Sequence, residues 1–169
     1  MKRIVFFLFL SVVGFNNLQE HYCSVAEKFK LECEFNGYSN EVASNKVLIS
    51  RARNKATIKH NDEMLQKLLD FEARNVRLEE LSSALYTNSL KELNSRNLSV
   101  MQLNSAFAGY DRIGVDSTTA SDVRRGLSSS IEKQNEFLHI KSQNALLREQ
   151  ITSLKLEQLK KDIEFFLKY

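Results

Sequence analysis

Proline is absent from this chain of 169 residues, and glycine occurs only five times, at Gly14, Gly37, Gly109, Gly114 and Gly126. These two residues are the strongest breakers of regular structure. Their scarcity excludes a turn-rich fold and predicts long helices. A strong charge of one sign is also missing. Lysine and arginine number 24 against 21 acids, a balance of +3. Loss of an N-terminal leader carrying Lys2 and Arg3 would bring it to +1, which argues against a general nucleic-acid binder. Catalytic arrangements are missing too. There is no H-E-x-x-H, no G-x-S-x-G, no phosphate-binding glycine loop and no metal-spaced cysteine set. His21, His60 and His139 are scattered. Glu79-Glu80 and Lys160-Lys161 read as solvated helix faces. The expectation is a non-enzymatic protein with no catalytic, cofactor-binding or metal-ligating residues.

The N-terminus reads as an export signal over residues 1–14. Lys2 and Arg3 precede an apolar run at 4–13, and Val12-Val13-Gly14 offers a small residue for cleavage. The run falls short of the roughly 20 apolar residues that span a bilayer. If kept, it would be an uncleaved anchor. Two cysteines in an exported chain suggest one disulfide, Cys23 with Cys33. Ten residues of continuous helix would hold them about 15 Å apart, whereas a disulfide needs Cα atoms within about 7 Å. Pairing therefore requires a short helix that doubles back. Between residues 42 and 61, Lys46, Arg51, Arg53, Lys55 and Lys59 meet no acid. Arg51, Lys55 and Lys59 are four apart and share a helix face. That face is either simply solvated or a contact for a membrane surface or an acidic partner.

Asn36-Gly37 signals a turn, after which Ser39 or Asn40 can cap a helix. Val42, Ile49 and Ala56 repeat at seven. His60-Asn61-Asp62 is a polar interruption. Beyond it, Met64, Leu68, Phe71, Asn75, Leu78, Ser82 and Leu85 alternate in steps of four and three, an amphipathic helical stripe. Residues 108–117 read as a loop, and Thr119 and Asp122 have capping spacing for a last helix over 118–167. Gly126 inside that helix implies close packing or a kink. Phe137, Ile140, Asn144, Leu147, Ile151, Leu154 and Gln158 form a coiled-coil seam, which widens through Leu156, Leu159, Ile163 and Phe166. Lengths then constrain the fold. A helix over 62–107, about 69 Å long, matches the last one, about 75 Å, only if the chain breaks near residues 60–62. The expected fold is all-α: an elongated antiparallel hairpin over 62–169, with shorter helices in 15–61 packed at its open end.

Two stretches are candidates for partner binding. The loop at the hairpin tip carries Tyr110, Arg112, Ile113 and Val115, and exposed apolar groups at a tip can anchor a partner. The tail carries more aromatics than one helix face can bury, with Phe165 and Tyr169 in excess.

The last helix contains Gln134-Asn135, then Ser142-Gln143-Asn144-Ala145-Leu146-Leu147-Arg148-Glu149-Gln150, and a further Leu- and Gln-bearing segment at 154–158. With an export signal and a helical mature chain, this resembles the minor pilus subunits of bacterial type IV secretion and conjugation machines. The resemblance implies an exported helical protein in the periplasm or at the surface of a Gram-negative bacterium. It would work through contacts with other proteins of a secretion or pilus assembly. It carries over no binding residue. Two other readings of the residues remain: a periplasmic holdase that cages clients in the hairpin, and a membrane-anchored coiled-coil envelope linker of the phage-lysis type.

Overall fold

The computed structural model describes the backbone of residues 2–110 and 117–169, and the side chains of residues 25–106, 108 and 120–169. Four helices follow in order: α1 (Lys2–Ile58), α2 (Asp62–Tyr110), α3 (Ser117–Ser153) and α4 (Leu156–Lys168). No strand occurs among the described residues. The fold is all-α. α2 and α3 form the long antiparallel hairpin, and α1 runs back along α2. At 49 residues, α2 is about 74 Å long. Among the described residues no helix is long and apolar enough to cross a membrane. Residues 1–14, where the sequence places an export signal, lie outside the described side chains.

The break near residue 60 forms without glycine. His60 takes a left-handed φ of 50°. Its N–H donates to the Thr57 carbonyl at 3.2 Å, and the Asn61 N–H donates to the Ala56 carbonyl at 2.9 Å. This pairing closes a helix C-terminus in the Schellman manner. Asn61 then starts α2, its Oδ1 accepting from the Met64 N–H at 2.9 Å as an N-cap.

Packing follows the stripes. Val42, Ile49, Ala52 and Ala56 of α1 meet Met64, Leu68, Phe71 and Leu78 of α2, with Leu156 and Ile163 of α4 completing one apolar cluster. Leu81 and Leu85 of α2 are also buried. Asn45 and Asn75 sit inside this base, Asn45 Nδ2 donating to Asn75 Oδ1 at 2.9 Å. Asn75 Nδ2 donates to the Val42 carbonyl at 3.2 Å. Toward the tip the α2–α3 interface changes character. Ser99 and Ser130 each donate to the other's backbone carbonyl, at 3.1 and 3.0 Å. A Cβ at Gly126 would stand 3.1 Å from the Ala106 Cβ. Gly126 therefore permits a close helix approach, and α3 continues through it without a break.

Three expectations are corrected. First, α1 is one 57-residue helix, with no turn at Asn36-Gly37 and no set of short N-terminal helices. Its inner stripe continues upward through Tyr38, which packs on the core, and Phe35, whose ring stacks on Tyr86 at 4.7 Å. Tertiary packing thus outweighs a glycine cost of about 1 kcal/mol. Second, because α1 is unbroken through residues 23 and 33, the helical rise separates those Cα atoms by about 15 Å, beyond disulfide reach. Cys33 is a free, exposed thiol, and the side chain of Cys23 lies outside the described residues. Third, the last helix is two. Lys155 takes φ 50° and ψ 39°, so the seam stops at Leu154 and Gln158 falls on the exposed side.

Candidate functional site

The step at Lys155 decides where the helices part. Below it, α4 packs against both α1 and α2 and closes the bundle. Above it, α3 stays on α2 alone, and α1 and α3 nowhere approach within 8 Å between Cα atoms among the described residues. Directly packed helices have axes 8–10 Å apart, so a cleft must open between α1 and α3 with α2 as its floor. The step is held by Arg74, whose Nη1 donates to the Leu154 carbonyl at 2.9 Å. Asp70 fixes Arg74 through two contacts, at 3.0 and 2.8 Å. A cation on the last carbonyls of α3 also suits the negative end of that helix.

The cleft has a volume of about 570 Å³. α1 contributes Glu27, Lys30, Leu31 and Glu34, α2 contributes Ser89, Glu92, Leu93 and Arg96, and α3 contributes Phe137 and Arg148. Arg96 grips Glu27 with both guanidinium nitrogens, Nη1 to Oε1 at 2.9 Å and Nη2 to Oε2 closer still. Arg148 Nη2 meets Glu34 Oε2 at 3.3 Å and ties α1 to α3 across the opening. Asn144, fully buried on α3, donates Nδ2 to Glu92 Oε2 at 2.6 Å. The Arg96 hydrogen bond holds the Glu27 carboxyl below its ordinary range, against a smaller opposing effect of burial. On the floor, the Ser89 hydroxyl is buried without a hydrogen-bond partner. Among the described residues, no group of three or more His, Cys, Asp or Glu side chains converges to hold a metal ion.

Sequence reasoning singled out none of the charged residues in this cleft. A signal was available. The α2 stripe continues from Leu85 through Ser89, Glu92, Arg96 and Ser99 without losing its four-three step. On α1 the positions of Val42 and Asn45 repeat upward as Phe35, Tyr38 and Leu31, and Glu27 and Glu34 stand one position beside that register. On α2 the cleft is thus the same heptad seam as the base, with Glu92 and Arg96 at the repeats of Leu78 and Leu68.

The tail and the basic face meet at the base. Phe166 turns inward, with Lys55 Nζ 5.2 Å and Lys59 Nζ 5.9 Å from its ring centroid. Lys55 donates to the Phe166 and Leu167 carbonyls at 2.8 and 3.1 Å, and Lys59 to the Tyr169 carbonyl at 3.3 Å. Both lysines therefore serve the C-terminus of α4. Of the expected membrane-facing trio, only Arg51 is left with no part in that arrangement, and it is exposed. Lys46 and Arg53 pair with Glu79 and Glu72 at 2.9 and 2.6 Å. Phe165 and Tyr169 stay outside at 66% and 77% exposure, their rings 4.8 Å apart. The tip candidates Tyr110, Arg112, Ile113 and Val115 lie outside the described side chains.

No protein-family model, no curated protein and no solved structure matches the chain.

Proposed function

We propose that this chain is a non-enzymatic, exported interaction protein, a minor helical component of a bacterial type IV secretion or conjugation pilus. It acts as a rod that presents contact surfaces at its ends. The observation that supports the reading is the aromatic pair at the closed end. Phe165 and Tyr169 remain in solvent while their neighbours Ile163 and Phe166 pack inward. Ile58, at the end of α1, is also 79% exposed. Paired exposed aromatics at the end of a rod have the character of a binding anchor.

The test is co-purification with other pilus subunits. Phe165→Asp with Tyr169→Asp should abolish that association while leaving helicity by circular dichroism unchanged. Deleting residues 109–116 asks the same of the tip, with transfer or adhesion as the readout. Mass spectrometry of the exported protein should find residues 1–14 removed. Association and transfer that survive both changes would contradict the proposal.

A further inference from the structure

α1 is anchored in two different ways along its length, and the boundary falls near a glycine. From Tyr38 down, its inner positions Val42, Asn45, Ile49, Ala52 and Ala56 are all buried. From residue 25 up to 34, the side chains turned to the cleft include Glu27, Leu31 and Glu34, none of them fully buried. That stretch reaches the rest of the molecule mainly through two ion pairs, Glu27–Arg96 and Glu34–Arg148, across an open cleft. Gly37 lies near the boundary, with an apolar contact above it, the Phe35 ring stacked on Tyr86 at 4.7 Å. Nothing stands within 4 Å of a Cβ placed there, so close packing does not require glycine at this position, in contrast to Gly126. What glycine does supply is a weak point in the helix.

We infer that residues 25–36 of α1 are a hinged arm, held on the α2–α3 hairpin by Glu27–Arg96, Glu34–Arg148 and the Phe35–Tyr86 stack, and released when the two ion pairs are screened or neutralised. The side chains of both pairs are about a third to a half exposed, so dissolved salt reaches them. Debye screening shortens from about 10 Å at 0.1 M to about 3 Å at 1 M. Release parts the Phe35–Tyr86 stack as well and leaves the apolar contacts below Gly37 in place. It uncovers Leu93 and Phe137 together with the two arginines, so the arm acts as a gate over that cleft. The remaining charged groups facing the latch are Lys30 on α1 and Glu92 on α2, and neither is paired across the cleft in a way that would replace it.

The test measures the arm directly in the full chain. With Cys23→Ser and Cys33→Ser, spin labels at Ala26→Cys on α1 and Gln134→Cys on α3 report their separation by pulsed dipolar spectroscopy. Both positions are exposed. At low salt one short distance should dominate. At 1 M NaCl, or with Glu27→Gln and Glu34→Gln at low salt, a longer-distance population should grow at least threefold. Gly37→Ala should cut that growth by half or more. The salt arm needs no latch variant and so does not depend on one folding. A distribution unmoved by both salt and the double substitution overturns the latch. Opening that Gly37→Ala leaves untouched overturns the hinge.

Discussion

The lower and upper halves of this bundle share two helices, α1 and α2, and one heptad register on α2, yet they are held together by different forces. At the base, Leu68, Phe71 and Leu78 meet α1 and α4 with almost no exposed surface. Above Lys155, the same steps of α2 carry Ser89, Glu92, Arg96 and Ser99, and α3 no longer packs directly on α1. Apolar burial contributes roughly 25 cal/mol per Å², whereas partly exposed ion pairs contribute about 0–1 kcal/mol each. Geometric continuity therefore hides an energetic discontinuity. A helix can run unbroken across a boundary at which its attachment weakens.

Substitutions should break this contrast unequally. The largest effect belongs to the base. Phe71→Ala, at a fully buried position, should cost about 3–5 kcal/mol in urea unfolding. Next is the small-residue interface near the tip. Gly126→Leu forces atoms into a space where even a Cβ stands 3.1 Å from Ala106, and should cost about 1–3 kcal/mol in the same assay. Lys155→Gly should act in the opposite direction. It relieves a left-handed residue and should stabilise by about 1 kcal/mol, seen as a raised Tm.

The smallest effect on global stability belongs to Glu27→Gln, at under about 1 kcal/mol, and its signature is pH dependence. Arg96 lowers the folded pKa of Glu27 below its ordinary value of 4.5. A depressed carboxylate contributes stability above the unfolded value and loses it as pH falls through the lowered folded one. Facing it are Lys30 and Glu34 on α1, Glu92 and Arg96 on α2, and Arg148 on α3. Protection of residues 25–34 should therefore fall as pH drops below about 4.5, and Glu27→Gln should flatten that dependence. An equally steep pH profile in the variant would remove Glu27 from the account.

Much of the base was legible in the sequence. The stripe from Met64 to Leu85 is buried throughout, and Val42, Ile49 and Ala56 face it. The break near His60 was required by matching helix lengths. Asn36-Gly37 misled because its turn signal is local, while Phe35 on Tyr86 and Tyr38 on the core hold the helix straight through it. The step at Lys155 left no local mark, since no glycine or proline stands there. It is set by Leu156 and Ile163 reaching the base cluster and by Arg74 on the Leu154 carbonyl. The cleft stayed hidden because charged residues read as surface, although Glu92 and Arg96 lie on the seam.

Amide hydrogen exchange along α1, at low salt and at 1 M NaCl, tests the central claim most directly, since local opening and global unfolding separate in that measurement. The account predicts that residues 25–34 exchange at least tenfold faster than residues 42–56 and accelerate further in salt, while 42–56 do not respond. Exchange of both stretches as one unit, with the same salt response, would contradict it.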